Sequence, residues 1–176
     1  MCSINGIGEI NSSGDGALML SSSTLTDPDQ DFVARRVWNS VYNDISDLQE
    51  LAPGEPVVYG KCYKDTDKGT ALCTNRCEKG VVGIASDTFG FGVGADSCKK
   101  QVPIAIGGWV LAHVDKTYKS GTVLTNNKNG ILTKMKWWEK ILYPERIVAI
   151  YKNKEKGQIW GPENVIVRER HWVKVK

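Results

Sequence analysis

The chain has 176 residues, of which 41% are hydrophobic, with 18 glycines, six prolines and a formal net charge of +3. That length suits one domain, or one domain with an arm, and the glycine and proline content favours many short segments over long helices. No apolar run approaches the roughly 18 residues of a membrane-spanning helix, and residues 1–25 lack the basic start and apolar middle of a signal peptide. A soluble protein that is not exported by that route is expected.

The charge is unevenly placed. Residues 1–60 carry two basic side chains, Arg35 and Arg36, against nine acidic ones, a net −7, while residues 61–176 carry 21 basic against 11 acidic, a net +10. Such a split is either a solvated surface or the fit of an acidic arm to the basic body of a neighbouring subunit. The lysines are scattered rather than focused among stacking aromatics, which argues against a nucleic-acid partner.

Five cysteines form an odd set without a secretion signal, which argues against a disulfide framework. Cys73 and Cys77 are spaced as half a zinc site that Cys62 and Cys98 could complete. Structural zinc sites usually show two tight pairs and only one is present, so buried free thiols, with no metal and no cofactor, are the expectation.

Residues 1–31 read as an extended Gly/Ser-rich acidic arm, and residues 32–176 as the β-rich body. In the arm, Gly6, Gly8, Gly14 and Gly16 alternate with serines, and so sparse an apolar content cannot offset the entropy of ordering unaided. Ala17-Leu18-Met19-Leu20 is where the arm would grip a partner, and Asp27-Pro28-Asp29 closes it with a turn.

Residues 32–51 are amphipathic without one period. Val33, Val37, Val41 and Ile45 recur every four residues, as in a helix, while residues 37–42 could equally be a strand. A strand followed by a short helical turn across residues 44–51 is the preferred reading.

Beyond Ala52-Pro53-Gly54 the pattern is β. Strands are predicted at 56–63, 80–86, 102–106, 109–114, 122–124, 131–133, 146–151, 165–167 and 172–175. Gly107-Gly108, Lys119-Ser120-Gly121, Asn129-Gly130 and Gly161-Pro162 supply turns between them. Asn129-Gly130 predicts a hairpin, and residues 136–142 predict a helix stopped by Tyr143-Pro144. Gly90-Phe91-Gly92-Val93-Gly94 reads as a bent loop carrying Phe89 and Phe91 inward. With no βαβ crossover, the fold class is all-β and mainly antiparallel, a compact sandwich or barrel-like body with one short helix. The last segment predicts Val165, Val167, His171, Val173 and Val175 on one face, with Arg168, Arg170, Trp172, Lys174 and Lys176 on the other.

Little of this looks catalytic. His113 and His171 lie in apolar strand settings, no nucleophile elbow is present, and the glycine-rich 90–94 stretch lacks the Lys-Ser/Thr of a phosphate loop. A non-enzymatic protein is expected. Asn11-Ser12, Asn39-Ser40 and Asn43-Asp44 supply residue types used in self-cleavage, which stays open as an alternative.

Several segments carry a resemblance. Arg36-Val37-Trp38-Asn39-Ser40-Val41-Tyr42-Asn43-Asp44 resembles the Val-Tyr-Asn-Asp-Tyr-Ala-Glu-Tyr opening of C-terminal domains on phage tail fibres and appendages. Pro53-Gly54-Glu55-Pro56-Val57-Val58, the stretch from Val82-Gly83-Ile84 to Phe89-Gly90-Phe91, and Val102-Pro103-Ile104-Ala105-Ile106-Gly107-Gly108-Trp109 follow in that family's order. Tyr143-Pro144-Glu145-Arg146-Ile147-Val148 is similar to its Pro-Asp-Arg-Ile-Val-Gly segment, and Trp172-Val173-Lys174-Val175 to its closing strand. The resemblance covers most of the chain from Val37 onward; Ile45-Ser46-Asp47-Leu48 departs from the Tyr-Ala-Glu-Tyr portion. The chain is similar in its strand–turn logic to small capsid-decorating proteins as well.

What the resemblance implies is a virion structural protein of a bacteriophage, made in the host cytoplasm. It would assemble with other virion proteins as a homo-oligomer, a trimer by preference, and need no membrane. Leu18, Leu20, Phe32, Val37, Trp38 and Tyr42 are the expected assembly contacts. One alternative is a receptor- or glycan-binding tip facing a host surface receptor, with Trp137, Trp138, Trp160 or Trp172 stacking on sugars. Against it stands the plainer reading of these tryptophans as core or subunit contacts. A second alternative is a self-cleaving intramolecular assembly chaperone, as in some relatives.

Overall fold

The structure, a computed structural model, describes residues 44–94, 99–161 and 164–176. The predicted arm, and the contacts expected at Leu18, Leu20, Phe32, Val37, Trp38 and Tyr42, lie outside the described residues. The body is mainly antiparallel β-sheet with one short α-helix. Its strands in chain order are β1 (Asp44–Glu50), β2 (Cys62–Lys64), β3 (Ala71–Leu72), β4 (Val81–Ala85), β5 (Phe89–Val93) and β6 (Gln101–Ala112). There follow β7 (Val123–Asn126), β8 (Leu132–Lys134), the helix α1 (Trp137–Leu142), β9 (Ala149–Lys154), β10 (Ile159–Trp160), β11 (Val165–Ile166) and β12 (His171–Val175).

The main sheet runs β3-β2-β4-β6-β12-β9-β7-β8, with β1 on the other edge of β6 and β5 outside β1; β10 and β11 form a separate hairpin. The path curls until Gly130, in the β7–β8 loop, packs against the Cys62 carbonyl of β2. The sheet is nevertheless not closed into a barrel.

The long strand β6 organises the body. Its first half pairs with β1 and β4, and Trp109–Ala112 pair with β12. Gly107-Gly108, predicted as a turn, instead lies inside this strand. The register with β1 slips between Ile45 and Ser46, and Gly108 has φ +97. The unpaired residue is Ile106, and the glycine pair beside it lets the strand bulge and bend here instead of ending. On the opposite edge Gly83 lets β4 approach closely: a Cβ there would stand 2.5 Å from the Ala105 carbonyl oxygen.

The β7–β8 hairpin forms where Asn129-Gly130 predicted it, both residues adopting positive φ in a five-residue connection. Helix α1 starts after Lys136 and stops before Pro144, as its sequence predicted. Four expectations are corrected. Asp44–Glu50 is a strand throughout, with no helical turn, because β5 and β6 pair with both of its edges. Residues 56–61 are irregular and the strand begins only at Cys62, since Gly60 turns at φ +79 under Leu111 and Arg170. Likewise β9 begins at Ala149, after a 3-10 turn at Pro144–Arg146. Phe89–Val93 is a strand parallel to β1, not a bent loop, and Phe91 points outward, 58% exposed.

The core collects inward side chains from both halves of the sheet, among them Ile84, Ala105, Val110, Leu124, Leu132, Ala149, Tyr151 and Val173. Cys62 and Cys73 are buried there as free thiols, Cys77 is a buried free thiol as well, and burial pushes the Cys73 thiol up to about 12. A second cluster forms around Leu51, Tyr63, Val102 and Ile104. A third packs Trp172 and Leu111 beneath Val165 and Val167, with Trp160 edge-on to Trp172 at 5.1 Å. This third cluster corrects the face predicted for the last strand. The β10–β11 segment covers its second side, so Trp172 is only 6% exposed and Arg170 is buried too.

Candidate functional site

Helix α1 is built inside out. Of its six residues only Glu139 is buried, while Trp137, Trp138, Ile141 and Leu142 are exposed. A short helix usually turns its apolar stripe to the core, so this one is held by polar bonds instead. The Glu139 carboxylate accepts two guanidinium hydrogen bonds from Arg76, at 2.7 and 2.8 Å, and one from the Lys136 backbone N–H at 2.6 Å. Arg76 also donates to the Lys134 carbonyl at 3.0 Å. The Arg76 guanidinium holds the Glu139 carboxyl below the usual carboxylate range.

Beside the helix lies an open groove of about 650 Å³. Its walls come from the loop after β6 (Asp115, Lys116, Tyr118), from β8 and its exit (Thr133 to Lys136), and from α1 (Trp137, Trp138, Lys140). Asp115 fixes the floor: one carboxylate oxygen accepts from the Tyr118 hydroxyl and the other from the Thr133 hydroxyl, each at 2.8 Å. Tyr118 rests edge-on against the buried Tyr151 ring. The Lys116 ammonium sits 5.5 Å from the Tyr118 ring centre and that of Lys136 5.6 Å from Trp138, within cation–π range. The result is a cationic, aromatic-walled concavity.

The structure separates the four tryptophans named from sequence. Trp137 (74% exposed) and Trp138 (40%) flank the groove, Trp160 is half-buried and Trp172 is interior. The last two belong to one packing cluster remote in sequence from α1. Sequence reasoning did not see the groove's cations as a set, because Arg76, Lys116 and the residues 134–140 come from three distant segments. Among the described residues no three His, Cys, Asp or Glu side chains converge as metal ligands, and Cys98 lies outside them. No helix among the described residues is long and apolar enough to cross a membrane.

Two further polar sites were invisible in sequence. At the start of β1, Asp44 is buried, its carboxylate accepting from Thr88 at 3.1 Å and from Ser46 at 3.4 Å, while Ser86 bonds Thr88. Burial pushes the Asp44 carboxyl up to about 6. The folded protein thus holds this proton more tightly than the unfolded chain does. Stability accordingly falls as pH rises from the ordinary aspartate range to about 6, and levels off above. Asp44→Asn removes the buried charge, and the neighbouring hydroxyls can rotate to suit an amide. Urea midpoints should show the variant more stable by about 2–3 kcal/mol at pH 8 and near parity at pH 4. An unchanged pH slope would refute this assignment.

The second is an ion pair, Arg170 with Asp87, doubly bonded at 2.6 and 2.9 Å. His113 lies beside it, its pKa lowered by burial and by the Arg170 charge. His171 is buried with its Nδ1 2.8 Å from the Tyr151 hydroxyl. Both histidines therefore have structural surroundings.

A different surface is apolar. Ile45 and Phe91 are paired in register across β1 and β5, with Val93 two residues on, and all three are exposed. Among the described residues β5 pairs only with β1, which leaves its outer edge open.

Comparison of the sequence with family models and with curated proteins gives no match. Among solved structures the fold is similar to part of bacteriophage phi29 gene product 12, crystallised in a form described as pre-mature. The likeness has a TM-score of 0.55 at 12% identity, covering 84% of this chain. It spans only 23% of that protein, so this chain has the fold of one portion of a larger phage protein.

Proposed function

We propose that this chain is a bacteriophage virion structural protein, a tail-appendage or head-decoration component that assembles with other virion subunits as a homo-oligomer. The observation that carries this reading is the likeness of its β body to a portion of a phage protein. Two features of the chain support it. The segment order of the sequence resembles phage appendage domains, and the open β5 edge with exposed Ile45, Phe91 and Val93 is suited to burial against another subunit. In this reading residues 1–31 tether the body to its neighbour through Leu18 and Leu20, with Phe32, Val37, Trp38 and Tyr42 continuing the contact. Deleting residues 1–31 should reduce incorporation into particles by about tenfold or more, as loss of a main apolar contact would. Normal incorporation of the truncated chain would remove the arm from the mechanism.

The groove favours a second reading, a tip that binds host-surface sugars. Trp137 and Trp138 stand exposed at its rim, where sugar rings could stack on them. Glycan arrays probed with intact particles test it, with retention on at least one glycan expected. The pre-mature form of the phage neighbour bears on a third reading, self-cleavage at Asn11-Ser12, Asn39-Ser40 or Asn43-Asp44. Intact mass after expression would then show loss of an N-terminal piece.

A further inference from the structure

We propose that the groove walled by Tyr118, Trp137 and Trp138 binds an anionic glycan, a polysaccharide carrying phosphate or carboxylate groups; this rests on the sugar-binding reading above and adds its chemistry. Trp137 supplies the stacking platform, since its ring is free to receive the apolar face of a sugar. Around it stand Lys116, Lys134, Lys136 and Lys140. Among the described residues none of the four is paired with a carboxylate.

The two acids nearby form no ion pair with these lysines, although Lys136 is close enough for its charge to act on Glu139. Glu139 is committed to Arg76, and Asp115 is held by the Tyr118 and Thr133 hydroxyls. A neutral sugar has no use for four unpaired ammonium groups, whereas a phosphate or carboxylate on every repeat would be drawn to them. Two of the four are already placed over aromatic rings, so little rotamer freedom is lost on binding. The cations ring a bounded concavity with a carboxylate on its floor. Nucleic acid is better served by a continuous basic track with successive stacking rings.

The test measures binding of the full chain to immobilised phosphomannan, mannan, polygalacturonate and single-stranded DNA at moderate salt. The proposal expects retention on phosphomannan, on polygalacturonate, or on both, at least about tenfold tighter than on mannan or DNA; which of the two binds distinguishes phosphate from carboxylate. Trp137→Ala should weaken that binding about tenfold, and Lys134→Glu with Lys140→Glu should abolish the preference for the charged glycan. All three residues are exposed, and an unchanged melting temperature confirms that the fold is intact. Equal binding to mannan and phosphomannan would overturn the anionic inference while leaving the sugar-binding reading. Retention on no glycan would overturn both. Binding to DNA as tight as to the glycans, or indifference to Trp137→Ala, would overturn the proposal as well.

Discussion

Replacing Arg170 with methionine is expected to destabilise the body by about 2–3 kcal/mol, since charge-assisted hydrogen bonds are lost from a pair in which Arg170 is buried and Asp87 is partly exposed. Arg170 is 3% exposed, and its guanidinium serves four acceptors: both Asp87 oxygens and the backbone carbonyls of Ile166 and Val167. It therefore ties the turn between β11 and β12 to the turn between β4 and β5, two places 83 residues apart in sequence. Methionine keeps much of the stem but leaves Asp87 without its counter-charge and the Ile166 carbonyl without the guanidinium donor, while the Val167 carbonyl keeps the residue 170 backbone N–H. Lysine restores the charge but not the planar fork, so Arg170→Lys should fall between the methionine variant and the parent. Urea denaturation followed by tryptophan fluorescence reports the loss directly, because Trp172 sits in the same region. A loss below about 1 kcal/mol would mean that the pair merely decorates the surface.

The second large effect concerns the groove. Arg76→Ala strips Glu139, which is 1% exposed, of its one salt-bridge partner among the described residues, leaving a buried carboxylate with the Lys136 N–H and the more distant Lys136 charge as its compensation. A loss of about 3–5 kcal/mol is expected. The harm should concentrate in α1, whose apolar residues face outward and cannot anchor it. The pH dependence has a definite sign. Arg76 holds the Glu139 carboxyl below its unfolded value, so the pair's contribution is present above the ordinary glutamate range and disappears as pH falls through the lowered folded value. The alanine variant should lack that acid-side decline. Amide exchange across residues 136–143 should speed up in it while β6 and β12 stay protected. Uniform loss of protection would instead make the ion pair a global brace.

How much of this could be read from sequence depended on whether the deciding partner was local. The β7–β8 hairpin and helix α1 were legible because Asn129-Gly130 and Tyr143-Pro144 set their own dihedrals. The β4 and β12 strands were legible because their β-branched runs match pleated, buried surfaces. Gly107-Gly108 misled, since a glycine pair usually punctuates; here β1 and β4 grip both edges of β6 and carry the strand through. Arg170 and Trp172 misled because simple alternation assumes one wet face, and the β10–β11 segment covers it. Phe91 was placed inward on its hydrophobicity alone, yet the outermost position of β5 leaves it exposed.

The candidate site divided in the same way. Trp137 and Trp138 were named, together with Trp160 and Trp172, only because tryptophan rings stack on sugars. Lys134, Lys136 and Lys140 are local to Trp137 and Trp138, but only the chain fold brings Lys116 to the groove and Arg76 to Glu139. The Asp44 cluster joins β1 to the turn before β5 across 44 residues, which no local pattern announces.

The assignment to the phage particle is tested most directly by quantitative mass spectrometry of gradient-purified virions from an infected culture. The account predicts this chain in a fixed copy number per particle, in a multiple that fits its oligomeric symmetry. Abundant chain in the infected lysate with none in the purified particles would contradict it.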